Sequence, residues 1–218
     1  MPMWEPFWYP YDPYALVFTL ALLILLAKQS YGGFTVVFAV ATCNRETTFF
    51  MTFYLILAAW RTLPFRTLSA WVAVQFLIWV GVKFCLGWCF QAHSGATLFQ
   101  HQYWSNIRFM FDMTYEQQLG YSFELLVRLA FMPGQFAFIW ILPVLGWRYL
   151  QHFLRAGLIT LIIFIAMMSY VANLYESRIF LETIPWVLTP ALVVLVRWLG
   201  DSLQGGDLVE HAPTGAVA

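Results

Sequence analysis

The chain has 218 residues, a length that suits one soluble domain, but 61% of them are hydrophobic, 20% are aromatic and only 10% are charged. A soluble protein has roughly a quarter of its residues charged, so this composition excludes a soluble globular enzyme and a disordered linker. Eleven basic residues balance eleven acidic ones, which excludes a nucleic-acid-binding protein whose affinity rests on net positive charge. The mean hydropathy of +0.71 predicts a membrane protein, with lipid as the solvent of the apolar excess.

The first predicted element is an N-terminal segment, residues 1–13, in which tryptophans and tyrosines are interspersed with prolines. Tryptophan and tyrosine concentrate where a bilayer meets water, so this segment is predicted to lie at the membrane interface. No basic region precedes the first apolar run, and the pattern therefore does not predict a cleavable signal peptide.

Seven apolar runs follow and predict an all-α, polytopic transmembrane helix bundle within residues 14–199. A helix needs roughly 20 apolar residues to cross the hydrocarbon, with about 17 as the lower limit. The second and third runs are short, and whether each crosses the bilayer stays open. In chain order, the predicted spans are 14–27, 31–43, 47–60, 67–90, 129–147, 156–174 and 183–199.

Three further segments complete the predicted organisation. An outer loop at 91–128 separates the fourth and fifth spans, and an interfacial helix is predicted at 123–133, where Glu124 and Arg128 lie four residues apart on an apolar run. Residues 200–218 are small and polar and predict a flexible cytoplasmic tail. The three cysteines, at positions 43, 85 and 89, are interpreted as helix-packing thiols, because their spacing fits neither a metal site nor a disulfide framework.

The basic residues predict an orientation, because lysine and arginine concentrate on the cytoplasmic side of a membrane. With the N-terminus outside, the cytoplasmic ends of the spans receive Lys28, Arg61, Arg66, Arg148, Arg155 and Arg197. The outer side receives Arg45, Arg108, Arg128 and Arg178, together with most of the acidic residues. We therefore expect a multi-pass protein of the bacterial inner membrane with a cytoplasmic C-terminus.

Two charged clusters interrupt the apolar runs and are the first candidate site. Arg45 and Glu46 lie between the second and third spans, and Glu176, Arg178 and Glu182 lie between the sixth and seventh. The predicted topology brings both bends to the outer membrane boundary. Ionisable groups at membrane depth need partners, and two interpretations stay open. One is an ion-pair network that fixes helix packing, and the other is a lipid-phosphate clamp with carboxylates for proton transfer.

The outer loop supplies a second set of polar candidates, which are His93, His101, Arg108, Asp112 and Glu116. The histidine spacing matches no metal-binding motif, so no metal site is predicted. Either imidazole could serve as an axial ligand of a tetrapyrrole, although solvated loop histidines are the simpler interpretation. No cofactor is predicted; bound lipid is expected, with a pigment as an alternative.

Residues 9–50 resemble a segment of uncharacterised bacterial polytopic membrane proteins in which a Tyr-Asp pair opens a span and Asn-Arg-Glu-Thr follows the next one. Asp12 and the run Asn44, Arg45, Glu46, Thr47 occupy those positions. The later stretch 175–185 is similar to a Glu-x-Arg-x-Phe element of the same proteins, matched by Glu176, Arg178 and Phe180, with Pro185 after it. These proteins look like distant relatives of GT-C glycosyltransferases. The resemblance implies that this chain lacks their first span and its acidic catalytic loop.

Three functional hypotheses follow. The first is a non-catalytic membrane subunit that packs against a larger complex, such as a photosynthetic or respiratory assembly, with its 43 aromatic residues (11 Trp, 11 Tyr, 21 Phe) available for contacts. The alternative is a GT-C-like glycosyltransferase that uses a polyprenyl-phosphate-linked sugar, with Arg45 and Arg178 on the phosphate and Glu46 or Glu176 as base. A transporter with Lys83 as its coupling charge is the weaker alternative. The expected partners are membrane lipid and other membrane proteins, not nucleic acid.

Overall fold

The computed structural model describes residues 12–91, 102–111, 138–172 and 177–209. Within these ranges the chain is all-α and contains no strand, which confirms the predicted fold class. The α-helices are α1 (Asp12–Ala27), α2 (Tyr31–Asn44), α3 (Phe50–Ala59), α4 (Phe65–Cys89), α5 (Tyr103–Phe111), α6 (Ile141–Leu145), α7 (His152–Val171) and α8 (Ile184–Val209). Short 3-10 helices occupy Glu46–Phe49, Trp147–Tyr149 and Ser177–Thr183.

Three apolar helices of the described chain are long enough to cross a membrane. They are α4, α7 and the stretch Phe180–Asp201, which contains most of α8. The apolar helices near the N-terminus are shorter. With 16 residues in α1 and 14 in α2, they extend about 24 and 21 Å at 1.5 Å per residue, less than the hydrocarbon thickness of about 30 Å.

Helices α1 and α2 form a helical hairpin. The connection is only Lys28, Gln29 and Ser30, and Gln29 has a positive φ of 57° that reverses the chain. The Ser30 amide donates a hydrogen bond to the Leu25 carbonyl at 2.9 Å, which satisfies one of the free carbonyls at the end of α1. The hairpin buries Leu22 and Leu26 of α1 and Phe34 and Phe38 of α2 in the main core.

The centre of the bundle is an aromatic cluster contributed by α3, α7 and α8. The Phe164 ring of α7 lies 4.8 Å from Phe50 and 5.9 Å from Trp186, edge to face in both cases. Tyr54 of α3 stacks on Trp186 with 6.3 Å between ring centroids. Edge-to-face and offset contacts between aromatic rings add to the packing energy beyond buried area. This cluster holds together helices that are distant in sequence.

Helix α4 touches the bundle along a narrow stripe. Its only buried residues are Leu68 and Gln75, which lie two turns apart on one face. Large apolar side chains cover the rest of the helix, and Phe65, Leu77, Phe84 and Trp88 are all more than 60% exposed. Of the apolar stretch of α4, 6% is buried, against 39% in α7 and 50% in Phe180–Asp201. Most of the α4 surface is therefore uncovered by the described residues.

Opposite ends of the bundle differ in chemistry. At the end where α3 stops and α7 starts, Trp60 Nε1 donates a hydrogen bond to His152 Nε2 at 3.1 Å. Arginine side chains lie over aromatic rings there, with Arg61 over Trp60 at 5.0 Å and Arg155 over Trp147 at 5.5 Å. At the other end of the bundle, Glu182 pairs with Arg45 and Glu46 pairs with Lys83.

The structure differs from the prediction around the fifth span, 129–147. Residues 129–137 and the interfacial helix predicted at 123–133 lie outside the described residues. From residue 138 onward the chain is not one continuous helix, because Phe138 has a φ of 60° and α6 has five residues. Gly146 follows α6 and contacts the Val194 side chain so closely that a Cβ would not fit. The chain before α7 therefore packs against α8 through Gly146, and it does not form the end of one straight transmembrane helix.

Residues 200–209, which were predicted to belong to a flexible tail, form the last turns of α8. The flexibility of the tail stays a prediction. Residues 210–218 lie outside the described part of the chain.

A close approach between α3 and α7 gives a first testable prediction. A Cβ added to Gly157 would lie 2.8 Å from Tyr54 Cε2 and 3.0 Å from its hydroxyl oxygen, which donates a hydrogen bond to the Phe153 carbonyl. We expect Gly157→Ala to lower the free energy of unfolding by about 1–3 kcal/mol through overpacking, measured by thermal unfolding in detergent.

Gly81→Ala is the matched control, because Gly81 also lies in a helix and nothing is within 4 Å of its added Cβ. Alanine is the better helix former, so this variant should unfold at the parental temperature or above. Equal losses in the two variants would contradict the packing described for Gly157.

Candidate functional site

The candidate site is built around the bend between α2 and α3. The Arg45 amide closes α2 by donating to the Ala41 carbonyl at 2.9 Å, and the Arg45 backbone then becomes extended, with φ −150° and ψ 133°. The chain restarts as the 3-10 helix Glu46–Phe49. A break at this point separates two short apolar helices and places a run of polar side chains between them.

A buried ion pair joins this bend to the segment that precedes α8. Arg45 Nη1 lies 2.8 Å from Glu182 Oε1, and the two side chains are only 15% and 6% exposed. The Thr47 hydroxyl donates a hydrogen bond of 2.6 Å to the same carboxylate oxygen. Carboxylates that accept several charge-assisted or hydroxyl hydrogen bonds are well compensated for burial. The two bends therefore lie together at one end of the bundle.

A second ion pair joins the bend to α4. Lys83, within the long apolar helix, pairs with the Glu46 carboxylate. Trp79, one turn earlier, donates from Nε1 to the Glu46 backbone carbonyl at 3.0 Å, and its ring lies 4.9 Å from Phe49. Both contacts fall on the stripe of α4 that faces the bundle. The bend thus holds α4 on one side and the α8 segment on the other.

A recess of about 290 Å³ opens beside these charges. Its polar wall is formed by Asn44, Arg45, Glu46 and Lys83, and its apolar wall by α4 residues that include Val82, Leu86 and Phe90. Phe90 follows Lys83 by two helical turns, about 10 Å along the axis. Helix α2 ends at Asn44, whereas α4 continues beyond the level of Asn44. The recess therefore lies next to the last turns of α4.

Of the five residues predicted as the charged cluster, Arg45 and Glu182 are in contact, and Glu46 contacts Lys83 instead. Glu176 lies outside the described residues. Arg178 belongs to the 3-10 helix Ser177–Thr183.

Four of the five outer-loop candidates, His93, His101, Asp112 and Glu116, lie outside the described residues. Arg108 lies in the last turn of α5 and is exposed. In the described residues, no group of three histidine, cysteine or acidic side chains is arranged to hold a metal ion.

Helix α5 docks on the end of α7. Asn106, buried on α5, donates from Nδ2 to the Ser169 carbonyl at 2.8 Å and to the Ala172 carbonyl at 2.6 Å. The Gln102 amide donates to the Tyr170 carbonyl at 3.0 Å. The last carbonyls of a helix have no partner within the helix, so α5 supplies hydrogen bonds that the end of α7 requires.

Sequence reasoning missed Thr47 and Lys83 as members of the site. Lys83 was considered only as a possible coupling charge of a transporter, but it lies about two turns before the end of α4, where its side chain reaches Glu46. The cysteines are a further difference, because all three are free and exposed instead of packed between helices. Cys43 lines the recess.

Scans of the chain against protein-family models, curated proteins and solved structures gave no match. The resemblance to GT-C-like polytopic proteins therefore stays a prediction.

The Arg45–Glu182 pair predicts strong energetic coupling. Removing one partner takes the ion pair from a buried charge, so Arg45→Gln and Glu182→Gln should each lower the free energy of unfolding by about 3–5 kcal/mol. The double variant should lose less than the sum, with a coupling of about 0.5–3 kcal/mol. Denaturant unfolding of the four proteins in detergent micelles measures the cycle.

Arg66→Gln is the control, because Arg66 is an exposed arginine at the opposite end of the bundle. Its effect should stay within about 0.5 kcal/mol. Additive losses in the Arg45 and Glu182 variants would show that the two side chains are not coupled.

Proposed function

We propose that this chain is a non-catalytic integral membrane subunit, and that the uncovered side of α4 packs against another membrane protein. The observation that carries the proposal is the small buried share of α4, 6% of its apolar stretch, whereas the other two long apolar helices of the described residues are 39% and 50% buried. A complex provides the missing neighbour for this helix.

The character of the α4 surface supports a protein contact. Phe65, Phe84 and Trp88 are 84%, 68% and 75% exposed, and Leu77 lies between them at 67%. Aromatic side chains contribute large, rigid contact areas and are enriched in interface cores. Between transmembrane helices, association depends on close side-chain packing, since lipid removes the hydrophobic driving force. A surface of large rings offers such packing.

The charged cluster supports a structural role over catalysis. In the glycosyltransferase alternative Arg45 binds a substrate phosphate, but Arg45 and Thr47 both bind Glu182, which ties the α2–α3 bend to the segment before α8. In the transporter alternative Lys83 is the coupling charge, but Lys83 and Trp79 both bind Glu46, which ties α4 to the same bend. Ion pairs that tie three segments together account for these residues without a reaction. Specific binding of a polyprenyl-phosphate analogue, lost on Arg45→Gln, would overturn this assignment in favour of the enzyme.

We further propose that the arginine-rich end faces the cytoplasm of a bacterial cell, with the bends at Arg45 and Glu182 on the outer side and about seven membrane crossings. The positive-inside rule supports this orientation, because the end that contains Trp60 and His152 also carries Arg61, Arg66, Arg148 and Arg155. The short helices α1, α2 and α3 count with α4, α7 and α8 as six crossings, the short ones accommodated by local bilayer thinning. The seventh crossing is the span predicted at 129–147.

The subunit proposal predicts a defined complex. Native mass spectrometry of the chain in nanodiscs cut directly from its native membrane should give a mass well above 25.3 kDa with a fixed partner stoichiometry. Leu77→Ala with Phe84→Ala should abolish the complex, because truncating interface anchors weakens protein association by about 2 kcal/mol or more per residue.

The matched control is Val36→Ala with Ile162→Ala, two residues that are as exposed as Leu77 but lie on α2 and α7. These truncations should leave the complex intact. A lone chain surrounded only by lipid, in wild type and both variants, would overturn the subunit proposal.

The orientation predicts which positions an impermeant reagent reaches. With Cys43, Cys85 and Cys89 replaced by alanine, Gln91→Cys at the end of α4 should react with an impermeant maleimide in intact cells, and Thr67→Cys at its start should react only after lysis. The reverse pattern would show that the arginine-rich end faces outward.

A further inference from the structure

The recess between the Arg45 bend and α4 has the properties of a ligand site. Its volume is about 290 Å³, at the lower end of the range of about 300–1,000 Å³ that is typical of small-molecule pockets. That volume suits a small polar group and not an extended saccharide. The recess lies at an end of the bundle and continues into an apolar wall, so the occupant is expected to be polar at one end and apolar at the other.

The charges of the recess indicate what its polar end recognises. Lys83 and Glu46 form an ion pair in which the lysine side chain is 20% exposed and the carboxylate side chain 59% exposed. An anion that bound Lys83 alone would displace Glu46 and leave its carboxylate next to a like charge. A cation that bound Glu46 alone would break the ion pair of the less exposed Lys83 and place a like charge beside it.

A zwitterion avoids both penalties. Its anionic group replaces Glu46 as the partner of Lys83, and its cationic group replaces Lys83 as the partner of Glu46, so one ion pair is exchanged for two. Arg45 and the Asn44 side chain lie on the same wall and provide further polar groups for an oxyanion.

We propose that the recess binds the headgroup of one phospholipid that carries both a phosphodiester and a primary ammonium group. The phosphodiester pairs with Lys83 beside Arg45, and the ammonium group donates to Glu46. The acyl chains run along the exposed Leu86 and Phe90 side chains of α4. A trimethylated ammonium has no N–H to donate, so a phosphatidylcholine headgroup makes the weaker contact with Glu46.

Competition between lipids tests the proposal. The full chain is reconstituted in nanodiscs that contain equal amounts of phosphatidylethanolamine, phosphatidylglycerol and phosphatidylcholine, and retained lipid is measured by native mass spectrometry. Wild type should retain one phosphatidylethanolamine, at least about tenfold over either competitor, as expected for a lost charge-assisted contact. Lys83→Gln and Glu46→Gln should each remove this preference. Lys28→Gln, at the opposite end, should retain it.

A second measurement does not depend on variants of the charged residues. Cys43 lines the recess, so in a Cys85→Ala, Cys89→Ala background its alkylation by N-ethylmaleimide reports occupancy. Alkylation should be about tenfold slower in phosphatidylethanolamine vesicles than in phosphatidylcholine vesicles. Inorganic phosphate and soluble phosphoethanolamine, each added to phosphatidylcholine vesicles, should give no protection.

Each alternative outcome has a clear meaning. Equal or greater retention of phosphatidylglycerol would show that the site recognises the phosphate alone. This result would overturn the proposal that the headgroup is zwitterionic. Protection of Cys43 by inorganic phosphate or phosphoethanolamine would show that the recess binds a soluble ligand. This result would overturn the proposal that its occupant is a lipid. Equal alkylation in both vesicles would show that no headgroup enters the recess.

Discussion

The fold depends on the buried contact between Arg45 and Glu182. Apolar helices gain little from association within lipid, because lipid tails are as apolar as their side chains. Directional polar contacts and close packing must therefore select the arrangement. The Arg45 guanidinium and the Thr47 hydroxyl both bind one carboxylate oxygen, which fixes the α2–α3 bend against the segment before α8. Removing either charged partner would take the ion pair from a side chain that is only 15% or 6% exposed.

Packing in the bundle centre is consistent with this constraint. Gly157 lets the Tyr54 ring approach α7 closely, and Gly146 does the same for the chain reversal against Val194 on α8. Phe164 then makes edge contacts with rings from two other segments. Small residues at close approaches and rigid rings in the spaces between are what membrane helices use in place of a hydrophobic driving force. Helix α4 has only a stripe of such contacts with the described residues, and 6% of its apolar stretch is buried.

Much of this arrangement could be predicted from charges that interrupt apolar runs. Arg45 and Glu182 stood out because neither can face lipid, and a shared membrane boundary followed from counting spans. The partners within the cluster were not predictable. Nothing local couples Lys83 to Glu46. The close approach of Gly146 to Val194 is likewise a tertiary contact that composition and periodicity do not encode.

The order of synthesis gives the Arg45–Glu182 contact one more consequence. A polypeptide emerges from the ribosome N-terminus first, so Arg45 reaches the membrane long before the chain that contains Glu182 has been made. During this interval the guanidinium needs a temporary counterion, which headgroups, water or the insertion machinery must supply. Helices α2 and α3 are each short for a membrane crossing. The Arg45–Glu182 ion pair can fix their final position only after the segment that contains Glu182 has been inserted. Maturation of this protein is therefore a late event, completed after translation of its C-terminal third.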